Sequence, residues 1–161
     1  MRFAAGYRQL EFDEKEGNAM TAEELWKKSG LTGEYEAWAF GEAPDALADL
    51  VVRGIKTATC SAYDLYEIEH EPLPKAGEYS VILGADASAR CIIRTTRVYV
   101  TEYGKVTADH ARKEGEGDRS LAYWRQVHEP FLTKELASVN LEFSEKTKVV
   151  CEEFALVYAA S

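Results

Sequence analysis

The chain has 161 residues, with 19 Lys plus Arg against 28 Asp plus Glu, a formal net charge of −9, and 46% hydrophobic residues. That length suits one domain able to bury a core without disulfides or metal, and the composition excludes disordered and collagen-like classes. The acidic balance excludes a wholly basic nucleic-acid coat but not a local basic cleft.

Residues 1–19 have few apolar anchors and a charged run from Glu11 to Glu16, and are expected to form an N-terminal extension to a domain spanning 20–161. No signal-peptide-like apolar run and no membrane-length stretch occurs, which predicts a cytoplasmic protein without a membrane partner. Thr21-Ala22-Glu23-Glu24 is a capping box, predicting a helix with Leu25 and Trp26 that stops at Ser29-Gly30. Glu36 to Phe40 reads as a short strand. Pro44 to Val52 reads as a helix, with Leu47, Leu50 and Val51 at helical spacing and Gly54 at its end.

Thr57 to Cys60 is short and β-prone, and Tyr63 to Glu69 makes one or two helical turns before Pro72 and Pro74. Gly77 to Leu83 and Ala89 to Val100 are strands about the turn Gly84-Ala85-Asp86. Thr107 caps a helix from Ala108 to Lys113. Asp118 is expected to cap another from Arg119 to His128, which Pro130 ends or kinks. Val149 to Tyr158 alternates and returns to the sheet. Strands interleaved unevenly with short helices predict an α+β fold around a small mixed or barrel-like sheet. Cys60, Cys91 and Cys151 form no CxxC pair and are expected as small buried hydrophobes in a reducing compartment.

Charge is uneven along the chain. Segments 51–63 and 87–101 contain no acid but hold Arg53, Lys56, Arg90, Arg94 and Arg97. They are either solvated surface cations or a positive groove for an electron-rich ligand such as a nucleotide. In Gly54-Ile55-Lys56-Thr57-Ala58-Thr59 a helix end runs into a strand, with a lysine at the junction and a hydroxyl three residues later. A lysine held partly dry there loses its charge more readily and serves as base or electrophile; on the surface it is only a charge. The loop from His110 to Asp118 holds three acids but fails the calcium-loop pattern. His110 and Glu114, four apart, leave a divalent metal open, and no cofactor is predicted. Glu114 is expected to face the groove from its helix end. Leu121, Trp124 and His128 fall on one helical stripe, which makes Trp124 core and His128 a structural histidine.

Taken in order, these segments resemble the ASCH domain family, in its longer bacterial type with the Glu-Gly-Glu-Gly-Asp run. The resemblance rests on Glu24-Leu25-Trp26, Ala37 to Gly41, Gly54 to Thr59, Pro72 to Gly77, Ile93 to Val98, Glu114 to Leu121, Trp124-Arg125 and His128. It implies a PUA-like mixed β-barrel with flanking helices and a part played on RNA or modified nucleosides. Small members hydrolyse the acetyl amide of N4-acetylcytidine with a Lys, a Thr three residues on and a Glu, which fall here on Lys56, Thr59 and Glu114. Longer members are described as ribonucleases. The chain departs from the amidohydrolases after Thr59, where Cys60 and Ser61 stand in place of their arginine.

The expected function is therefore binding of RNA or a small nucleoside, with hydrolysis of an amide or a phosphodiester by Lys56, Thr59 and Glu114. Arg53, Thr57, Tyr63, Arg94, Arg97, Arg119 and Trp124 are expected to contact the substrate. The competing expectation is a non-catalytic binding module using the same residues. The oligomeric state is left open.

Overall fold

The computed structural model describes residues 1–2 and 19–161; most of the expected extension, residues 3–18, lies outside the described residues. Four of the five described helices begin where the sequence offers a cap or a proline. In α1 (Ala22–Ser29) the Thr21 hydroxyl accepts from Glu24 N while the Glu24 carboxylate accepts from Thr21 N. Helix α2 (Pro44–Val52) opens on Pro44, whose missing N–H is one the helix start does not need. Thr107 caps α4 (Ala108–Glu114), and α3 (Tyr63–Ile68) follows a strand directly.

Helix α5 differs from expectation at both ends. It runs Leu121–Ala137, capped by Ser120 rather than Asp118, and it passes straight through Pro130. Asp118 instead accepts from Ser120 N at 2.9 Å and so shapes the turn before the cap. The hydrogen bond lost at Pro130 belongs to the carbonyl of Gln126; both residues are exposed, so water replaces the missing donor.

Five strands, β1 (Tyr35–Ala39), β2 (Ala58–Ala62), β3 (Tyr79–Leu83), β4 (Ala89–Glu102) and β5 (Lys148–Ala159), form one sheet in the order β1-β3-β4-β5-β2. β1 pairs with β3 in parallel and every other pair is antiparallel. Strand β2 starts one residue later than expected, leaving Thr57 in the approach. Register shifts at Ile82/Leu83, Ile92/Ile93 and Thr95/Arg97 bend the strands, as bulges do, and curl the sheet into a half-barrel. This is the expected α+β, PUA-like architecture.

The curl brings edge strands β1 and β2 toward one another, and the first two residues lie between them. Arg2 N donates to Cys60 O at 3.1 Å and Gly41 N donates to Met1 O at 2.8 Å. Arg2 also bridges Phe40 at the end of β1. Leu25 and Trp26 of α1 cover Val81 and Ile92, while Leu47 and Val51 of α2 cover Ile82, Ile93 and Phe154. A third cluster joins Cys60, Tyr66, Tyr103, Trp124, Leu132 and Val150 under α3 and α5. All three cysteines are free and buried. Among the described residues no helix is long and apolar enough to cross a membrane.

Helix α4 ends against the approach to β2. Thr57 N donates to Lys113 O at 2.7 Å, and Gly115, at φ +74°, passes so near that an added Cβ would lie 2.5 Å from Ile55 O. Neither the left-handed backbone nor that contact tolerates a side chain. Gly115→Ala is expected to lower unfolding stability in urea by about 1–3 kcal/mol; a midpoint unchanged from wild type would show that the approach is not tight.

Candidate functional site

Lys56 follows the last turn of α2, where Ile55 N and Lys56 N both donate to Leu50 O. This turn aims the side chain inward, and Lys56 is 1% exposed. Its ammonium donates at 3.4 Å to Glu114 O, to Glu114 Oε1 and to Glu116 Oε2, and lies 5.2 Å from the centre of the Phe40 ring. A buried ammonium needs this much compensation, because leaving water costs far more than an apolar contact returns.

Glu114 is fully buried at the end of α4. His110 Nε2 lies 2.8 Å from its Oε2, the Trp124 indole N–H donates to the same oxygen, and His128 Nε2 stands 3.4 Å from Oε1. Burial alone would push the carboxyl up. The charges of His128 and Lys56 and the hydrogen bond from His110 overcome it and hold Glu114 well below the usual carboxylate range. His110 shifts the other way: burial would lower it, but hydrogen bonds to Cys151 and Glu114 raise it to about 10. At neutral pH the centre therefore holds an ionised Glu114 carboxylate against a His110 imidazolium.

The expected residues divide sharply. Lys56 and Glu114 meet, and Trp124 joins them as a core ring stacked on Tyr103 and His128. Thr59 lies in β2 opposite Glu152 of β5, buried, with no hydrogen-bond partner for its hydroxyl among the described residues. Thr57 Oγ1 donates to Lys113 O, and Tyr63 donates to Glu67 beneath Lys148. The arginines do not converge on Lys56. Arg53 faces Asp49, Arg94 lies over Tyr79, Arg97 lies over Tyr99 beside Glu153, and Arg119 donates to Arg112 O. The acid-free segments thus build dispersed, exposed cations, while buried Lys56 is neutralised by acids from α4 and its following loop.

Cys60, Glu114 and His128 place ligand atoms within 4.8 Å of one another. These residues do not suit a dication: Glu114 is already committed to His110, Trp124 and Lys56, and an ammonium sits 3.4 Å from its carboxylate. Burial, then Glu114, also pushes the Cys60 thiol well above its usual value, which keeps it from becoming the thiolate that metals bind.

Beside Lys56 lie Met1 and Arg2, each 3% exposed. Burial and then Lys56 hold the Met1 ammonium below its ordinary value. Arg2 donates to Glu152 Oε1 at 2.7 Å and to Glu36 Oε2 at 3.0 Å, with its guanidinium 4.5 Å over Trp38. Sequence reasoning missed this arrangement. One signal was available: Glu152 shares its strand phase with Val150 and Phe154, and an acid on the buried face of a strand needs a partner.

Comparison with known proteins gives a consistent result. The ASCH domain family model matches residues 36–158. The crystal structure of an ASCH domain from Lactobacillus crispatus JV V101 superposes with a TM-score of 0.78 at 32% identity, covering 84% of this chain and 93% of that one. That of a protein from Enterococcus faecalis V583 gives 0.76 at 37% identity, covering 85% of both chains. A hypothetical protein at 15% identity and a TM-score of 0.51 shares the fold alone. No curated protein matches the sequence.

Protonated His110 stabilises the fold fully below its ordinary value of 6.5, and that contribution is lost as pH rises toward about 10. Wild type should therefore lose a few kcal/mol of stability from pH 7 to 10, since each tenfold gain in proton affinity on folding is worth about 1.4 kcal/mol. His110→Gln should show a flatter profile in urea titrations, and parallel profiles would place the neutral imidazole in the folded protein.

Proposed function

The chain belongs to the ASCH domain family, a family generally linked to RNA binding, and from that premise we propose that it binds a nucleoside, free or unstacked in RNA, and hydrolyses an acyl amide on it. The observation that carries this reading is the buried Lys56 ammonium, held 3.4 Å from two carboxylates on the approach to the strand that holds Thr59, whose hydroxyl has no hydrogen-bond partner among the described residues. An amide suits the site better than a phosphodiester. Phosphodiester cleavage calls for clustered cations to neutralise developing charge, but Arg53, Arg94, Arg97 and Arg119 lie elsewhere and Arg2 is engaged by Glu152 and Glu36.

In this mechanism Lys56 passes a proton to Glu116, takes the Thr59 hydroxyl proton, and the freed oxygen bonds to the acyl carbon. The protonated carboxyl then delivers its proton to the departing amine, and water hydrolyses the acyl-threonine. Glu116 is only partly buried, so it can exchange protons with solvent. Glu114, held ionised by its donors, keeps Lys56 in position.

The test is release of acetate from N4-acetylcytidine, alongside cleavage of a short single-stranded RNA. Thr59→Val keeps the shape of the side chain, and it should reduce turnover about 10²–10⁴-fold while the circular dichroism stays that of wild type. Lys56→Met should do the same at some cost in stability. Wild-type rates in both variants would overturn the mechanism. Nucleoside binding without turnover would leave a binding module, and RNA cleavage alone would replace the amide with a phosphodiester.

A further inference from the structure

Arg2 occupies a pocket built for more than it uses. Glu152 is 1% exposed; Arg2 engages its Oε1, but its Oε2 has no hydrogen-bond partner among the described residues. The indole N–H of Trp38, 7% exposed, also has none. A buried polar atom left in this state costs roughly 1–3 kcal/mol, so spare capacity of both kinds, one acceptor and one donor, is kept beside the guanidinium. Burial first raises the Glu152 carboxyl against the pull of Arg2, with Glu36 and Glu78 adding to the rise. Without a cation this group of carboxylates would be strongly disfavoured. Two ring contacts link this group to Lys56: Trp38 meets Phe40 edge-on at 5.0 Å, and the Lys56 ammonium lies 5.2 Å from the centre of the Phe40 ring.

We propose that Trp38, Glu36 and Glu152 form a recognition pocket for a flat, positively charged ring bearing N–H donors, a cationic purine nucleoside, and that Arg2 is its tethered stand-in. The inference rests on the nucleoside reading above and names the base. Three features of Arg2 define what replaces it. It is flat, and stacks on the indole. It is cationic, which two neighbouring carboxylates demand. It presents separate N–H groups to two acceptors. Guanine carries N1–H and N2–H₂ on one edge, and methylation at N7 supplies the positive charge. Uracil fails on both counts, since its single N–H lies between two carbonyl oxygens that would face carboxylates. Displacing Arg2 also withdraws Met1 from beside Lys56, so the same event opens the cleft where the proposed chemistry lies. The Arg2 side chain is thus an intramolecular competitor for these acceptors.

The experiment titrates 7-methylguanosine, guanosine and uridine into the full chain, reading tryptophan fluorescence and heat. The expected order of affinity is 7-methylguanosine, then guanosine, then uridine. Arg2→Ala should bind 7-methylguanosine at least tenfold more tightly than wild type, and Trp38→Leu should abolish the preference. Where Arg2→Ala fails to fold by circular dichroism, Arg2→Lys decides the question: it keeps the charge but loses the fork, and should still tighten binding. Nucleosides that bind without preference for the cation, and without response at Arg2, would overturn this inference while the nucleoside reading stands. No binding of any nucleoside to wild type or to either Arg2 variant would overturn both.

Discussion

The buried contact between Lys56 and Glu114 is the constraint on which the rest of this structure depends. An ammonium and a carboxylate, both withdrawn from water, are tolerable only when each retains several partners. The partners here come from three different helices. Lys56 is delivered by the end of α2, Glu114 by the end of α4, and Trp124 and His128 by α5. Removing any one leaves a charge short of compensation. The glycine at 115 is part of the same requirement, because only a residue without a side chain lets α4 end against Ile55.

A second charged arrangement closes the half-barrel. Edge strands β1 and β2 would each present unpaired backbone groups; Met1 and Arg2 take up some of them, and the Arg2 side chain ties Glu36 of β1 to Glu152 of β5. Among the described residues this closure is made by Met1 and Arg2, through backbone hydrogen bonds and ion pairs, beside Lys56. An apolar plug would seal the barrel permanently. A guanidinium held by carboxylates instead makes closure depend on two ion pairs, Arg2 with Glu36 and with Glu152.

Much of the architecture was readable residue by residue. The Thr21–Glu24 capping box, Pro44 at the start of α2, Thr107 at the start of α4 and the alternation in β5 are local signals, and the structure follows each. The Pro130 stop failed because a proline breaks a helix only where its lost hydrogen bond cannot be replaced, and Gln126 faces water. The Asp118 cap failed by two residues, since Asp118 and Ser120 both offer a capping oxygen and only the docking of α5 chooses. At the site, the Lys56 and Glu114 pairing was anticipated through family resemblance. The donors around Glu114 and the Arg2 pocket were not, because both join residues far apart in the chain.

The positive groove inferred from acid-free segments shows the boundary most clearly. Arg53, Arg94 and Arg97 are close to Lys56 in sequence or share its charge pattern, yet the fold sends them to the surface and pairs Lys56 with acids from another helix. The sequence by itself determined the elements, their order and the α+β class, since capping, periodicity and turn chemistry act over a few residues. Which charges are buried, which carboxylates meet them, and that Met1 and Arg2 lie between β1 and β2 were decided only by the tertiary structure. Desolvation and Coulomb energies depend on distances between segments brought together by the curl of the sheet, and no local pattern encodes those distances.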